Sequence, residues 1–242
     1  MPVPEDRRPA FRLLVVPGVT VDKWARVWSE RLPGVDLQVV PAEAAQAATV
    51  LPGVADAGLL RLPAGGDTFH AIPLYTEVTV VVLPRDHALA EAAEVTVADL
   101  AGETLLRPRD DVLDWTAVPG TEAAQRPATT ALAVELVAAG TGVLVVPQSL
   151  ARLYHRRDLT YRPVTDAPAS SVGLVWMRDR HSELVEDMIG IVRGRTANST
   201  RGRAPEQPAR TPVKGAAARP APASGRTGAR PGGANPRRRR GR

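Results

Sequence analysis

The apolar residues of this chain fall into two alternating patterns, short unbroken runs and stripes at helical spacing. The clearest case is Ala131 to Pro147, ALAVELVAAGTGVLVVP. Leu132, Val134, Leu136 and Val137 form a wide apolar face that stops at Gly140. A GTG loop follows, then four apolar residues, Val143 to Val146, closed by Pro147. A helix, a tight reversal and a strand buried on both faces account for this pattern. Gly140 and Gly142 supply the backbone freedom that such a reversal requires.

The same logic places the other elements. Phe11–Val16 reads as a strand, broken by Pro17-Gly18, and Thr20 or Asp22 is placed to cap a helix that runs to about Leu32. Val21, Trp24 and Trp28 share one stripe of that helix. Val35–Val40 is a second strand, Glu43–Leu51 a second helix and Ala55–Leu60 a third strand, ending at Arg61. This β-α-β-α-β spacing predicts an α/β fold with a parallel sheet. Strands are then expected at Phe69–Leu74, Glu77–Leu83, Glu103–Leu106, Leu159–Val164 and Ser171–Met177. Helices are expected from Gln148 to about Tyr154 and over Ser182–Arg195, with a single turn capped by Thr96. Residues 110–126, acidic and broken by Pro119-Gly120, fit no pattern.

Composition changes the picture at the C-terminal end. Residues 201–242 hold twelve Lys and Arg, one acid, seven Pro and seven Gly, with no Ile, Leu, Phe, Trp or Tyr. Such a segment buries too little apolar surface to offset its ordering entropy, so residues 196–242 are expected to form a disordered basic tail. Its net charge is +11; since the whole chain is +5, residues 1–200 carry −6. The run Arg237–Arg240 makes nucleic acid a candidate partner of the tail, the plainer reading being a solubilising segment. The chain has no cysteine, which excludes disulfides and thiolate metal sites. No leader-like apolar segment or membrane-length apolar run is visible, so a cytoplasmic location with no membrane contact is expected.

Several segments in order carry a resemblance: FRLLVVPGVT, ERLPGVDLQVV, ADAGLLRLP, VVLPRDHAL, VTVADLAGETLL, ELVAAGTGVLVVPQS and YRPVTD. Together they resemble the effector-binding (substrate-binding) domain of LysR-type transcriptional regulators, over residues 11–195. The resemblance implies a two-lobed type II periplasmic-binding-protein-like fold, the chain crossing twice between α/β lobes that flank a small-molecule cleft. It places lobe I at residues 11–84 and 169–195 and lobe II at residues 85–168. The family also carries an N-terminal winged helix-turn-helix. With ten residues before Phe11, the chain as given is expected to lack it, through a shortened start or as a free-standing sensor.

The candidate ligand residues come from helix starts and loops facing that cleft. Unpaired N–H groups and the helix dipole make a helix start favourable for an anion. Gly18, Val19 and Thr20 follow the first strand, where the family often has a Ser or Thr gripping an effector carboxylate. Ala42 stands where several relatives have a hydroxyl. Thr129 and Thr130 precede the Ala131 helix, with plain N-capping as the simpler role. Pro108 and Arg109 fall where the family lines the cleft from lobe II; Arg109 pairs with an anionic effector or is a solvated loop charge. Arg61 contacts a ligand in some relatives; the preferred alternative is an ion pair with Glu77.

The expectation is therefore an effector-sensing domain of a LysR-type regulator. A small organic anion, taken to be a carboxylate, would close the lobes, and the domain would act as a homodimer through the first lobe; Trp24 and Trp28 read either as ordinary core packing or as one ring inside and one at that interface. A soluble small-ligand-binding protein of periplasmic-binding-protein type is the alternative. No enzyme is expected and no cofactor or metal: His70, His87, His155 and His181 are dispersed, and GxSxG, P-loop and GxGxxG motifs are absent. The cluster Asp110, Asp111, Asp114 reads as a solvated loop rather than a metal or acid–base site.

Overall fold

The computed structural model describes residues 9–195. The segment expected as a basic tail, and its proposed nucleic-acid contact, lie outside them. Five strands form the first sheet, in the order β2 (Asp36–Pro41), β1 (Ala10–Val15), β3 (Ala57–Leu62), β10 (Ser170–Met177), β4 (Phe69–Glu77). The β2-β1-β3 part is parallel, as the β-α-β-α-β spacing predicts, and β10 runs antiparallel to β3 and β4. A second, antiparallel sheet has the order β8 (Leu144–Pro147), β5 (Thr79–Pro84), β9 (Leu159–Pro163). These sheets are the centres of the two lobes. A two-residue pair, β6 (Thr104–Leu105) with β7 (Thr121–Glu122), extends the second lobe.

In the first lobe β1 is buried on both faces from Leu13 onward, which explains its apolar run Leu13–Val16, while Arg12 near its start is exposed. Phe11, Leu13 and Val15 face α1 (Asp22–Arg31) and α5 (Glu183–Val192), while Leu14 and Val16 face α2 (Ala47–Val54). Trp28 is fully buried, stacks on Phe11 at a centroid distance of 4.8 Å and donates its Nε1–H to the Val35 carbonyl at 2.9 Å. Trp24 is half-buried at the edge of the same cluster. In the second lobe Val80 and Val82 of β5 pack under α3 (Thr130–Ala138) and α4 (Gln148–Leu153), and Val81 and Leu83 pack against Leu100, Leu105, Val143 and Val145.

The chain changes lobes twice. The first change takes one residue, the exposed Val78 between β4 and β5. The return lies between β9 and β10, and the buried Thr79 hydroxyl ties the two passages by donating to the Pro168 carbonyl at 2.6 Å. The expected boundary at residue 84 therefore moves. Glu77–Leu83 reads as one strand because its β-branched run is continuous, yet Glu77 pairs with Ser170 in the first sheet and Thr79 with Pro147 in the second.

Other boundaries shift for local reasons. Helix α1 is preceded by Val21 with no side-chain cap, so neither Thr20 nor Asp22 takes the capping role expected of it. Helix α2 starts at Ala47 rather than Glu43, because the chain makes a turn in which the Gln46 N–H donates to the Glu43 carbonyl. Thr96 and Asp99 bond reciprocally around the expected single turn. Among the described residues no helix is long and apolar enough to cross a membrane.

The α3–β8 reversal is closed by a Schellman motif. The Gly140 N–H donates to Val137 and the Thr141 N–H to Leu136, with Gly140 at φ +73°. Gly142 has a different constraint: a Cβ there would lie 2.3 Å from the Thr104 carbonyl oxygen, where β6 meets the start of β8. Gly140→Ala is expected to cost about 1–2 kcal/mol, for left-handed backbone with open space around it. Gly142→Ala should cost more, about 3 kcal/mol, because the strands must separate. Urea unfolding that ranks the two in the opposite order would contradict this assignment.

Candidate functional site

The junction of the lobes is built around one arginine. Arg61 leaves β3, and its guanidinium lies beside the first passage between lobes. It forms an ion pair with Glu77 at the end of β4, and both side chains are nine-tenths buried. Nη1 also donates to Ser170 Oγ at 3.2 Å, and Nη2 to Ser149 Oγ at 3.1 Å and to the Pro17 carbonyl at 3.4 Å. Ser149 belongs to α4 of the second lobe, and its hydroxyl donates to Glu77 Oε2 at 3.0 Å. One serine thus links the second lobe to both members of a buried ion pair in the first. Removing two charges from water is costly unless the remaining donors and acceptors are satisfied, and here almost all are. The exception is Arg61 Nε, which is buried without a hydrogen-bond partner.

Gly18 makes this approach possible. It sits after β1 at φ +84°, and a Cβ there would fall 2.5 Å from Ser149 Oγ. A side chain at position 18 would displace the Ser149 hydroxyl from its place between Arg61 and Glu77. Glycine at this position therefore serves the contact between lobes.

Beside the network is the cleft. Pro17, Glu43, Ala44 and Arg61 line it from the first lobe, and Asp110, Val112, Thr130, Leu150 and Tyr154 from the second. Its volume is about 10 Å³, room for about one water molecule. The Thr130 hydroxyl, buried at the start of α3, donates to Asp110 Oδ1 at 2.9 Å. Burial raises the Tyr154 phenol above its ordinary value, and the negative charges of Asp110 and Glu43 push it further the same way.

The predicted site residues divide. Arg61 and Thr130 line the cleft, whereas Gly18 is outside its lining and packs against Ser149 of the neighbouring network. Val19 packs instead into the first-lobe core, and Thr20 is exposed. Pro108 is buried, with its carbonyl accepting from Arg126 Nη2 at 2.7 Å. Arg109 is exposed and outside the cleft lining, whereas its neighbour Asp110 faces in. Thr129 caps α3 by accepting from the Leu132 N–H at 3.2 Å, the simpler of its two expected roles. The acidic cluster does not converge: Asp110 bonds Thr130, while Asp111 bonds Arg107 at 3.0 Å and the Leu113 N–H at 3.0 Å. Burial still holds the Asp111 carboxyl above its usual range. Among the described residues no group of three or more potential ligands is arranged to hold a metal ion.

Sequence reasoning passes over Ser149, Ser170, Glu43 and Tyr154. Ser149 carries a weak signal, since it lies in the first turn of a helix that follows the Pro147 ending a buried strand. Ser170 and Tyr154 carry none, because their roles depend on which residues the two passages bring together.

The family model of the LysR substrate binding domain matches residues 12–197. The chain belongs to the LysR substrate-binding-domain family. Among curated LysR relatives, a "probable hydrogen peroxide-inducible genes activator" of Mycobacterium avium is 37% identical over 131 residues, 50% of this chain and 42% of that protein. The Hca operon transcriptional activator HcaR of Escherichia coli is 28% identical over 160 residues, 61% of this chain and 53% of that one. The chain thus spans about half the length of the curated relatives it matches. Of solved LysR structures, the BenM effector-binding domain with its effector benzoate superposes at a TM-score of 0.65 with 20% identity, covering 77% of this chain and 91% of that one. At that identity the likeness is one of fold.

The buried pair yields a prediction by double-mutant cycle. Arg61→Met and Glu77→Gln each leave the other partner buried without its counter-charge or bonding partner, and each should destabilise the domain by about 3–5 kcal/mol. The double variant should lose less than the sum of the two, because neither buried group is then stranded. Strictly additive losses in urea unfolding would show that the pair is not coupled.

Proposed function

We propose that this domain senses a small-molecule effector in the cleft between its lobes and that occupancy alters how the lobes meet, as part of a LysR-type transcriptional regulator. The observation that carries the reading is the Arg61–Glu77–Ser149 network, which joins the lobes beside a cleft with no room for an organic molecule. An effector must separate the lobes there or replace part of that network. Differential affinity for the two arrangements is what lets a ligand shift their populations.

A carboxylate is the effector chemistry we favour. Arg61 already holds a carboxylate, that of Glu77, and its buried Nε–H has no acceptor. An incoming carboxylate that bonded Nε would satisfy the one stranded donor of the network, and a guanidinium accommodates two such groups in its fork. The absence of cysteine bears on the signal as well. A relative is named for induction by hydrogen peroxide, but thiol oxidation has no residue to act on within these 242 positions. A bound molecule is therefore the signal proposed here. The same reading has the domain act as a homodimer, a role supported by the free edge of β2, where Val39 is exposed.

A thermal-shift screen of small carboxylic acids tests this proposal. A true effector at about a hundred-fold excess over its Kd should raise Tm by about 5–10 °C. The shift should vanish in Arg61→Met and persist in Arg109→Gln and Thr20→Ala, whose residues stand outside the cleft lining. A shift that survives in Arg61→Met would remove this residue from the site.

A further inference from the structure

The second lobe has another cavity, larger than the cleft, with a volume of about 370 Å³, within the ~300–1,000 Å³ usual for small-molecule sites. Val82 of β5 and Leu159 and Tyr161 of β9 supply apolar wall, and Arg85, Arg156 and Arg162 supply cationic groups. These arginines differ in how their charge is met. Arg156 is neutralised by Asp158 at 2.9 Å and by Glu135. Arg85 and Arg162 have no carboxylate partner among the described residues. Arg85 Nε donates to the Arg157 carbonyl at 2.6 Å. Arg162 donates to the carbonyls of Ala92 at 2.7 Å, Tyr161 at 2.8 Å and Ala90, and to Thr160 Oγ1 at 3.0 Å. Carbonyl oxygens fix the direction of a guanidinium without cancelling its charge. Two oriented positive charges therefore meet at one cavity, in a part of the chain, residues 1–200, whose net charge is −6.

We propose that this cavity binds a small organic dianion, a phosphate monoester or a dicarboxylate, with its charged end on Arg85 and Arg162 and its carbon frame against Tyr161 and Leu159. Two charges on the ligand match the two uncompensated guanidiniums: the Nη1 and Nη2 groups of Arg85, which make no hydrogen bond among the described residues, can take paired ligand oxygens in a fork, and the one N–H that Arg162 has left can take a further oxygen. Tyr154 also lines the cleft, but Arg85 and Arg162 do not, so this site stands apart from the effector reading and is tested without it.

Calorimetric titration of the full chain at low ionic strength with phenyl phosphate and, separately, with succinate tests the assignment. The basic C-terminal segment attracts anions too, but equally in every variant, so the comparison between variants isolates the cavity. Saturable binding of at least one probe is expected, and the tighter of the two distinguishes phosphate from dicarboxylate. Arg85→Gln should weaken it about tenfold or more, without changing the Tm of the unliganded protein. Arg85→Lys should recover most of the affinity, and Arg109→Gln, an exposed arginine outside the cavity, should leave it unchanged. The proposal is overturned if neither probe saturates, or if Arg109→Gln weakens binding as much as Arg85→Gln does.

Discussion

A guanidinium kept out of water sets the terms for this molecule. Arg61 is nine-tenths buried where the chain passes between lobes, and a charge in that position must be matched. Glu77 supplies the opposite charge, Ser170 and the Pro17 carbonyl supply acceptors, and Ser149 supplies the contact from the other lobe. Each partner sits where a strand or helix begins or ends, so the network holds together only when both sheets are formed and in register. Glu77 and Ser170 face each other across β4 and β10, which places the charge and one of its acceptors by backbone pairing alone. Gly18 then lets α4 come close enough for Ser149 to reach.

The same network lies where the two lobes are joined. The chain passes from one sheet to the other through Val78, and Thr79 fastens that passage to the return at Pro168. The network around Arg61 lies beside these passages, since Glu77 adjoins Val78 and Ser170 follows Pro168 by two residues. On the proposed reading, a ligand that competed for Arg61 would act where a small free-energy difference selects between two arrangements.

Much of the fold was legible because burial dictates hydrophobic period. The runs Leu13–Val16 and Val143–Val146 are covered on both faces, and the stripe ending at Trp28 is a helix face against Phe11. The reversal at Gly140 was legible as well, since only a few residue types accept its backbone angle. The passage at Val78 was hidden, because Glu77–Leu83 keeps one β-branched pattern across a change of sheet. The site was legible only in part. Arg61 and its Glu77 alternative could be named from their spacing and from family resemblance, whereas Ser149 and Tyr154 acquire meaning only through contacts with residues far away in the chain. Between Arg109 and Asp110, which of the two faces the cleft is decided by loop geometry, and the residue chosen from its charge points to solvent.

The Arg61 network joins the two lobes beside the cleft. The absence of cysteine makes a direct measurement simple, since spin labels can be placed without removing any native thiol. Thr49→Cys on α2 and Leu132→Cys on α3 are exposed positions in opposite lobes. Pulsed electron-spin distance measurements between them should give one narrow distribution in the otherwise unaltered chain, and a broader, longer one when Arg61→Met is added. Identical distributions in both backgrounds would show that the lobes are held by something other than this arginine.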